Sequence, residues 1–145
     1  MLVLFFGVWG LDALVFHSSM GLVEAIPLLL RVVLAGFTTG FGMYLSLQAH
    51  RVIFSDIHDP PRLIDSGVYA WVRHPMYLGI LLSCLGFFFA YPSLLSLAVW
   101  VVFFLLYDHM TAYEENALLQ VWRDMYVAYQ ARVPKWVPWI RRKHR

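Results

Sequence analysis

Charge is scarce in this chain of 145 residues, and cysteine is nearly absent. Asp, Glu, Lys and Arg together make up only 14% of the sequence, against 61% hydrophobic residues. A soluble domain carries about 25% charged residues, so an ordinary water-soluble globule is excluded. The single cysteine, Cys84, sits inside an apolar run. That excludes an internal disulfide, and no Cys/His metal framework is visible. No basic residue precedes Arg31, so the apolar start MLVLFFGVWGLDALVF lacks the basic flank of a signal peptide and reads as a retained helix. Internal repeats and low-complexity tracts are also missing.

What the chain does have is long apolar segments, with a mean hydropathy of +0.65. Crossing a bilayer takes about 20 helical residues. Segments near 1–17, 25–49, 75–91 and 93–112 meet or approach that length. The expectation is an all-α, polytopic membrane protein with about four transmembrane helices. It forms one domain: two N-terminal helices over 1–50, a loop over 51–74, a helical hairpin over 75–112, and a cap and tail over 113–145. Pro27 and Pro75 suit first helical turns, and Tyr91-Pro92-Ser93 makes the tight hairpin link. Asp12 and Arg31 lie in or near the spans, where charge is costly. Arg31 either snorkels to the interface or pairs with Asp12 or Glu24. Gly36, Gly40 and Gly42 allow close helix contacts, expected within one chain; the oligomeric state is left open.

Basic residues orient the chain. The 17–24 and 91–93 links carry none. The 50–74 loop carries Arg51, Arg62 and Arg73, and the tail after 112 carries seven more, from Arg123 to Arg145. The positive-inside rule puts loop and tail in the cytoplasm. EENALLQVWRDMYVAY has apolar residues at 118, 119, 122, 125, 126 and 129, the spacing of an amphipathic helix. Pro134 and Pro138 end it, Trp136 and Trp139 suit the headgroup zone, and RRKHR reads as an anchor to anionic lipid rather than a nucleic-acid contact.

Two polar clusters remain. One runs from Leu63 through Gly67 and Tyr69 to Arg73-His74-Pro75-Met76-Tyr77; the other is Glu114-Glu115. The hairpin is antiparallel, so both clusters lie at one membrane depth and form one candidate site. Gly67 permits a tight turn. Free amides at a helix start attract an anionic group, and two carboxylates opposite suit a cation or sugar hydroxyls. A ligand with a carboxylate, an ammonium and a ribose fits that mix, but the mix does not single it out.

SGVYAWVRHPMYLG resembles the signature of the isoprenylcysteine carboxyl methyltransferase family, a group that also includes phospholipid N-methyltransferases and bacterial relatives. Leu63-Ile64, Gly67-Val68-Tyr69, Arg73 to Gly79, Glu114-Glu115, Tyr126, Tyr129 and Val133-Pro134 follow the family pattern in order. The resemblance covers about residues 60–140; residues 1–50 match only as generic membrane helices. It implies S-adenosyl-L-methionine as methyl donor, S-adenosyl-L-homocysteine as product and a lipid-like acceptor. It places cofactor contacts on Leu63, Ile64, Tyr69, His74, Pro75, Tyr77 and Glu114. Arg73 and Glu115 become supports or active-site charges, and His109, Glu114 or Glu115 a base for an amine acceptor. An aromatic wall of Tyr69, Trp71, Tyr77 and Tyr113 is expected over the donor, with Trp71 better explained as an interfacial residue. Members that methylate isoprenylcysteine carry an Arg four residues before the first Glu; Met110 stands there. Two rivals are an NADPH-dependent sterol-reductase-like enzyme, disfavoured by Met76 after His-Pro, and a non-catalytic membrane scaffold.

Overall fold

The computed structural model of the chain describes residues 1–17, 19–55 and 62–137. Pro60, Pro61, Pro138, Trp139 and the closing RRKHR lie outside the described residues. Every regular element described is helical. They are α1 (Leu2–Leu11, continued by a wider π turn over Asp12–Phe16), α2 (Met20–Ala25), α3 (Leu28–Ser55), a 3-10 turn (Gly67–Ala70), α4 (Pro75–Ala90) and α5 (Leu94–Arg132).

Proline sets the boundaries. The residue before a proline is pushed out of the helical region. Ile26 (φ −105, ψ 121), His74 (φ −124, ψ 61), Tyr91 (φ −137, ψ 104) and Val133 (φ −118, ψ 125) all obey, and each separates helices or ends one. Pro75 then opens α4, and Ser93 caps α5 by accepting the Ser96 N–H at 3.1 Å.

Among the described residues, only α3 and α5 are long and apolar enough to cross a membrane, by length and composition; Leu2–Phe16 and Pro75–Ala90 are shorter apolar helices. At about 1.5 Å per residue, α4 reaches about 24 Å, less than the hydrocarbon core of about 30 Å. Prolines on both sides keep it short.

α3 and α4 pack antiparallel along a seam of small residues. A Cβ on Gly42 would lie 2.5 Å from the Gly79 carbonyl oxygen, and Gly86 is equally crowded by Thr39. No larger residue allows backbones so close. Gly36 and Gly40 face open space instead, so of the three expected contact glycines only Gly42 is used. At the far end of the bundle, Ser19 Oγ donates to the fully buried Asp12 and accepts the Leu94 N–H, tying α1 to α5. Arg31 donates to the Ala90 carbonyl at 3.4 Å. The outer faces of α3 and α5 expose Leu29, Val33, Phe37, Val102 and Leu105, apolar surface of a kind that suits lipid.

α5 is broken at Arg123, whose backbone (φ 43, ψ −118) leaves the helical region and folds the chain back. The break shifts the helical phase. Tyr126, Tyr129 and Val133 pack with Leu63, Leu118, Leu119 and Trp122, while Met125, on the expected apolar stripe, is 61% exposed. A positive φ costs a residue with a Cβ about 1–2 kcal/mol. Arg123→Gly should remove that strain at some cost in unfolded-chain entropy, for a net gain of about 0.5–1 kcal/mol. A higher thermal midpoint in detergent is the expected readout.

Candidate active site

The site forms where the 62–74 loop, the start of α4 and the two halves of α5 meet. Gly67, at φ +60, starts the 3-10 turn with Val52 tight against it. The turn buries Val68 against Leu45 and Ala49 and sends Tyr69 inward. Tyr129 Oη then donates to the Tyr69 carbonyl at 2.7 Å, fastening the folded-back helix to the loop.

Arg73 is the fastener beneath. Its backbone N–H donates to the Pro134 carbonyl at 2.9 Å. Its guanidinium grips Glu115 with two bonds, Nε to Oε1 at 2.9 Å and Nη2 to Oε2 at 3.4 Å. Nη1 donates to the carbonyls of Gln130 at 3.2 Å and Val133 at 3.1 Å. Glu115 also accepts from Gln130 Nε2 at 3.0 Å and contacts His74 Nε2 at 2.9 Å. His74 is therefore held between the two glutamates, with Nδ1 3.8 Å from Glu114 Oε2. Glu114 accepts the Tyr77 hydroxyl proton in a short hydrogen bond.

The adjacent glutamates do different work. Successive residues on a helix point about 100° apart. Glu115 is buried in the Arg73–His74 network, whereas Glu114 is half-exposed and lines a cavity of about 380 Å³. Burial pushes the Glu115 carboxyl up, but the hydrogen bond from His74 and the charge of Arg73 outweigh it and hold the group below its ordinary value. A depressed carboxylate contributes stability above its unfolded value and loses it as pH falls through the folded one. Acidification below the ordinary glutamate value of about 4.3 should therefore release the folded-back helix. Tryptophan fluorescence against pH checks this, and Glu115→Gln should flatten the transition.

The cavity wall includes Leu63, Ile64, Tyr69, His74, Tyr77, Glu114 and Arg73. These come from distant parts of the chain and share one hollow. Pro75 is buried at the start of α4 and outside the wall. Glu115 also lies outside it, behind Arg73 and His74. His109 is exposed and off the wall: five residues before Glu114, it points about 140° away around the helix. Trp71 (50% exposed) and Tyr113 (78% exposed) do not join the aromatic wall. Trp122, Tyr126 and Tyr129 take their place, with Ile53, Arg62, Met76 and Leu118 as further lining. The apolar spacing over 118–129 carried the signal for most of these, while Arg62 looked only like an orienting charge. Burial, then the negative charge of Glu114, pushes the Tyr69 phenol up to about 12. Burial and the Glu115 carboxylate raise Tyr126 to about 12. Both phenols therefore stay protonated at neutral pH.

The profile of the family described as phospholipid methyltransferase matches residues 28–125, from the first turn of α3 past the break in α5. The chain belongs to the phospholipid methyltransferase family. Among curated relatives, the chain is 33% identical over 97 residues to the protein-S-isoprenylcysteine O-methyltransferase of Mus musculus, covering 63% of this chain and 33% of the relative. It is 35% identical over 80 residues to protein-S-isoprenylcysteine O-methyltransferase B of Arabidopsis thaliana, covering 54% and 41%. It is 34% identical over 87 residues to methanethiol S-methyltransferase 1 of Bradyrhizobium diazoefficiens, covering 57% and 28%. The chain thus matches about a third of the length of these relatives. No solved structure gives a significant match.

Proposed function

We propose that this chain transfers a methyl group from S-adenosyl-L-methionine to a lipophilic acceptor at the cytoplasmic face of a membrane. In this reading four helices span the bilayer, with α1 and α4 as short spans, and the cavity opens to the side where the basic residues gather. The observation that carries it is the shared hollow: Tyr77 and Glu114, from opposite arms of the hairpin, are hydrogen-bonded to each other in one cavity wall.

The residues present fit the donor. A volume of about 380 Å³ falls within the range of about 300–1,000 Å³ typical of small-molecule sites. Glu114 offers a carboxylate to an ammonium or to ribose hydroxyls. Arg62 adds a basic side chain to the cavity wall. Leu63, Ile64, Leu118 and Trp122 form an apolar bed for a purine. When bound, the donor supplies a sulfonium methyl group that is already strongly electrophilic. Tyr69 and Tyr77 present aromatic faces worth about 0.5–2 kcal/mol toward such a cation. The wall's contribution to rate is alignment, which removes an entropic barrier. No metal-binding cluster occurs among the described residues, and the proposed transfer calls for none.

The acceptor decides whether a base is needed. A carboxylate acceptor needs none, whereas an amine or thiol must lose its proton. Of the three candidate bases, Glu115 is engaged by Arg73 and His109 faces away. Glu114 is left. Met110, 45% exposed, supplies no cation for an acceptor carboxylate, which favours an amine or thiol acceptor over prenylcysteine. Methyl transfer from labelled donor into a total lipid extract tests the reading. Label that survives alkali marks an N- or S-methyl product, label released as methanol marks an ester, and no incorporation contradicts the proposal.

A further inference from the structure

Asp108 lies on α5, nearly two helical turns before Glu114, and takes no part in the cavity wall. Its Oδ1 accepts from Lys135 Nζ at 2.6 Å and from Trp136 Nε1 at 2.8 Å. Lys135 Nζ also donates to the Asp108 carbonyl at 3.0 Å. These bonds pin the segment after α5 back onto α5 itself. The indole they hold is packed rather than free: its ring lies 6.0 Å from the His74 imidazole and 5.6 Å from Phe104. His74 is only 7% exposed, with one nitrogen facing each glutamate.

We propose that Asp108 is a positioning residue for this site, acting through Trp136 to fix the plane of the His74 ring between Glu114 and Glu115. The inference rests on the donor-binding reading above for its link to function. The indole N–H is a donor with no acceptor capacity. An acceptor at position 108 therefore selects one orientation of the indole, since turning the ring over would strand its N–H. His74 contacts Glu115 at 2.9 Å and Glu114 at 3.8 Å. A small rotation of the imidazole trades one carboxylate against the other. The neighbouring indole limits that rotation, and with it the orientation of Glu114, the carboxylate exposed to the cavity. A simple tail anchor would need only the Lys135–Asp108 pair. The second bond, to the ring beside His74, is what makes Asp108 specific to the site.

The test combines the nitrogen chemical shifts of the His74 imidazole with S-adenosyl-L-homocysteine binding, on the full chain in detergent. Asp108→Ala and Trp136→Ala should move both His74 ring nitrogens in the same sense and weaken binding by about 5–10-fold. The double variant should be no worse than either single one, because the two act in series. Asp108→Asn keeps an oxygen acceptor for the indole and should restore wild-type shifts, although it loses the charge facing Lys135. Unchanged His74 shifts in Asp108→Ala, or losses that add in the double variant, would overturn the inference. If Asp108→Ala does not fold, Trp136→Phe decides in its place: it removes the N–H and shrinks the ring beside His74, and unmoved His74 shifts there count equally against the proposal. Should the wild-type chain fail to bind the nucleoside, the donor reading falls, and the His74 shifts still settle whether Asp108 positions the ring.

Discussion

Glu114→Ala is expected to weaken S-adenosyl-L-homocysteine binding by about 10–100-fold while leaving the helices folded. A hydrogen bond involving a charged group is worth about 1.5–3 kcal/mol, which corresponds to that range. The carboxylate is half-exposed, and its close partners are Tyr77 and His74. Removing it leaves no buried ion behind, so the thermal midpoint should move little. Tyr77→Phe keeps the aromatic face and loses only the hydroxyl, so it should cost several-fold less than Glu114→Ala. Calorimetric titration measures both, and circular dichroism confirms retained helicity. Equal affinity in wild type and Glu114→Ala would show that the carboxylate lines the cavity without touching the ligand.

The second large effect is on folding. Arg73→Met should destabilise the chain by about 3–5 kcal/mol, the usual result of removing one partner of a buried ion pair. The side chains of Arg73 and Glu115 are only 13% and 11% exposed. Without the guanidinium, Glu115 keeps its charge in a poorly solvated place, and the Gln130 and Val133 carbonyls lose a donor. Arg73→Lys should recover only part of the loss, because a point-like ammonium cannot make the two-pronged grip on Glu115 and also reach both carbonyls. Chemical denaturation in detergent, followed by tryptophan fluorescence, separates the variants. Full stability in Arg73→Lys would mean that charge alone holds the folded-back helix.

These contrasting expectations for two neighbouring clusters mark the limit of what the sequence reveals. That Arg73 and His74 meet the glutamates follows from two prolines: Pro75 starts α4, Pro92 turns the hairpin, and antiparallel arms bring the ends to one depth. Which glutamate faces the hollow depends on how α5 is rotated about its axis, and apolar patterning does not resolve that when lipid covers much of the surface. The same rotation decides that His109 and Tyr113 point elsewhere. Tyr126 and Tyr129 enter the wall because the chain breaks at Arg123, and nothing in the letters around an arginine announces a positive φ. Trp136 shows a third kind of limit. Beside prolines and basic residues it looks like a headgroup tryptophan, yet its indole is held by Asp108, 28 positions earlier. The seam glycines divide likewise. Gly42 opposes Gly79 across the α3–α4 contact, while Gly36 and Gly40, on the same helix, meet nothing.

The central claim is that the 62–77 stretch and the two halves of α5 close around a sulfonium nucleoside. Calorimetric titration of the purified full chain with S-adenosyl-L-homocysteine, run beside NADPH, tests it most directly. Saturable binding of the nucleoside, lost in Glu114→Ala, with no heat from NADPH, is the predicted result. Binding of NADPH in preference, or nucleoside binding that Glu114→Ala and Tyr77→Ala both leave untouched, would contradict it.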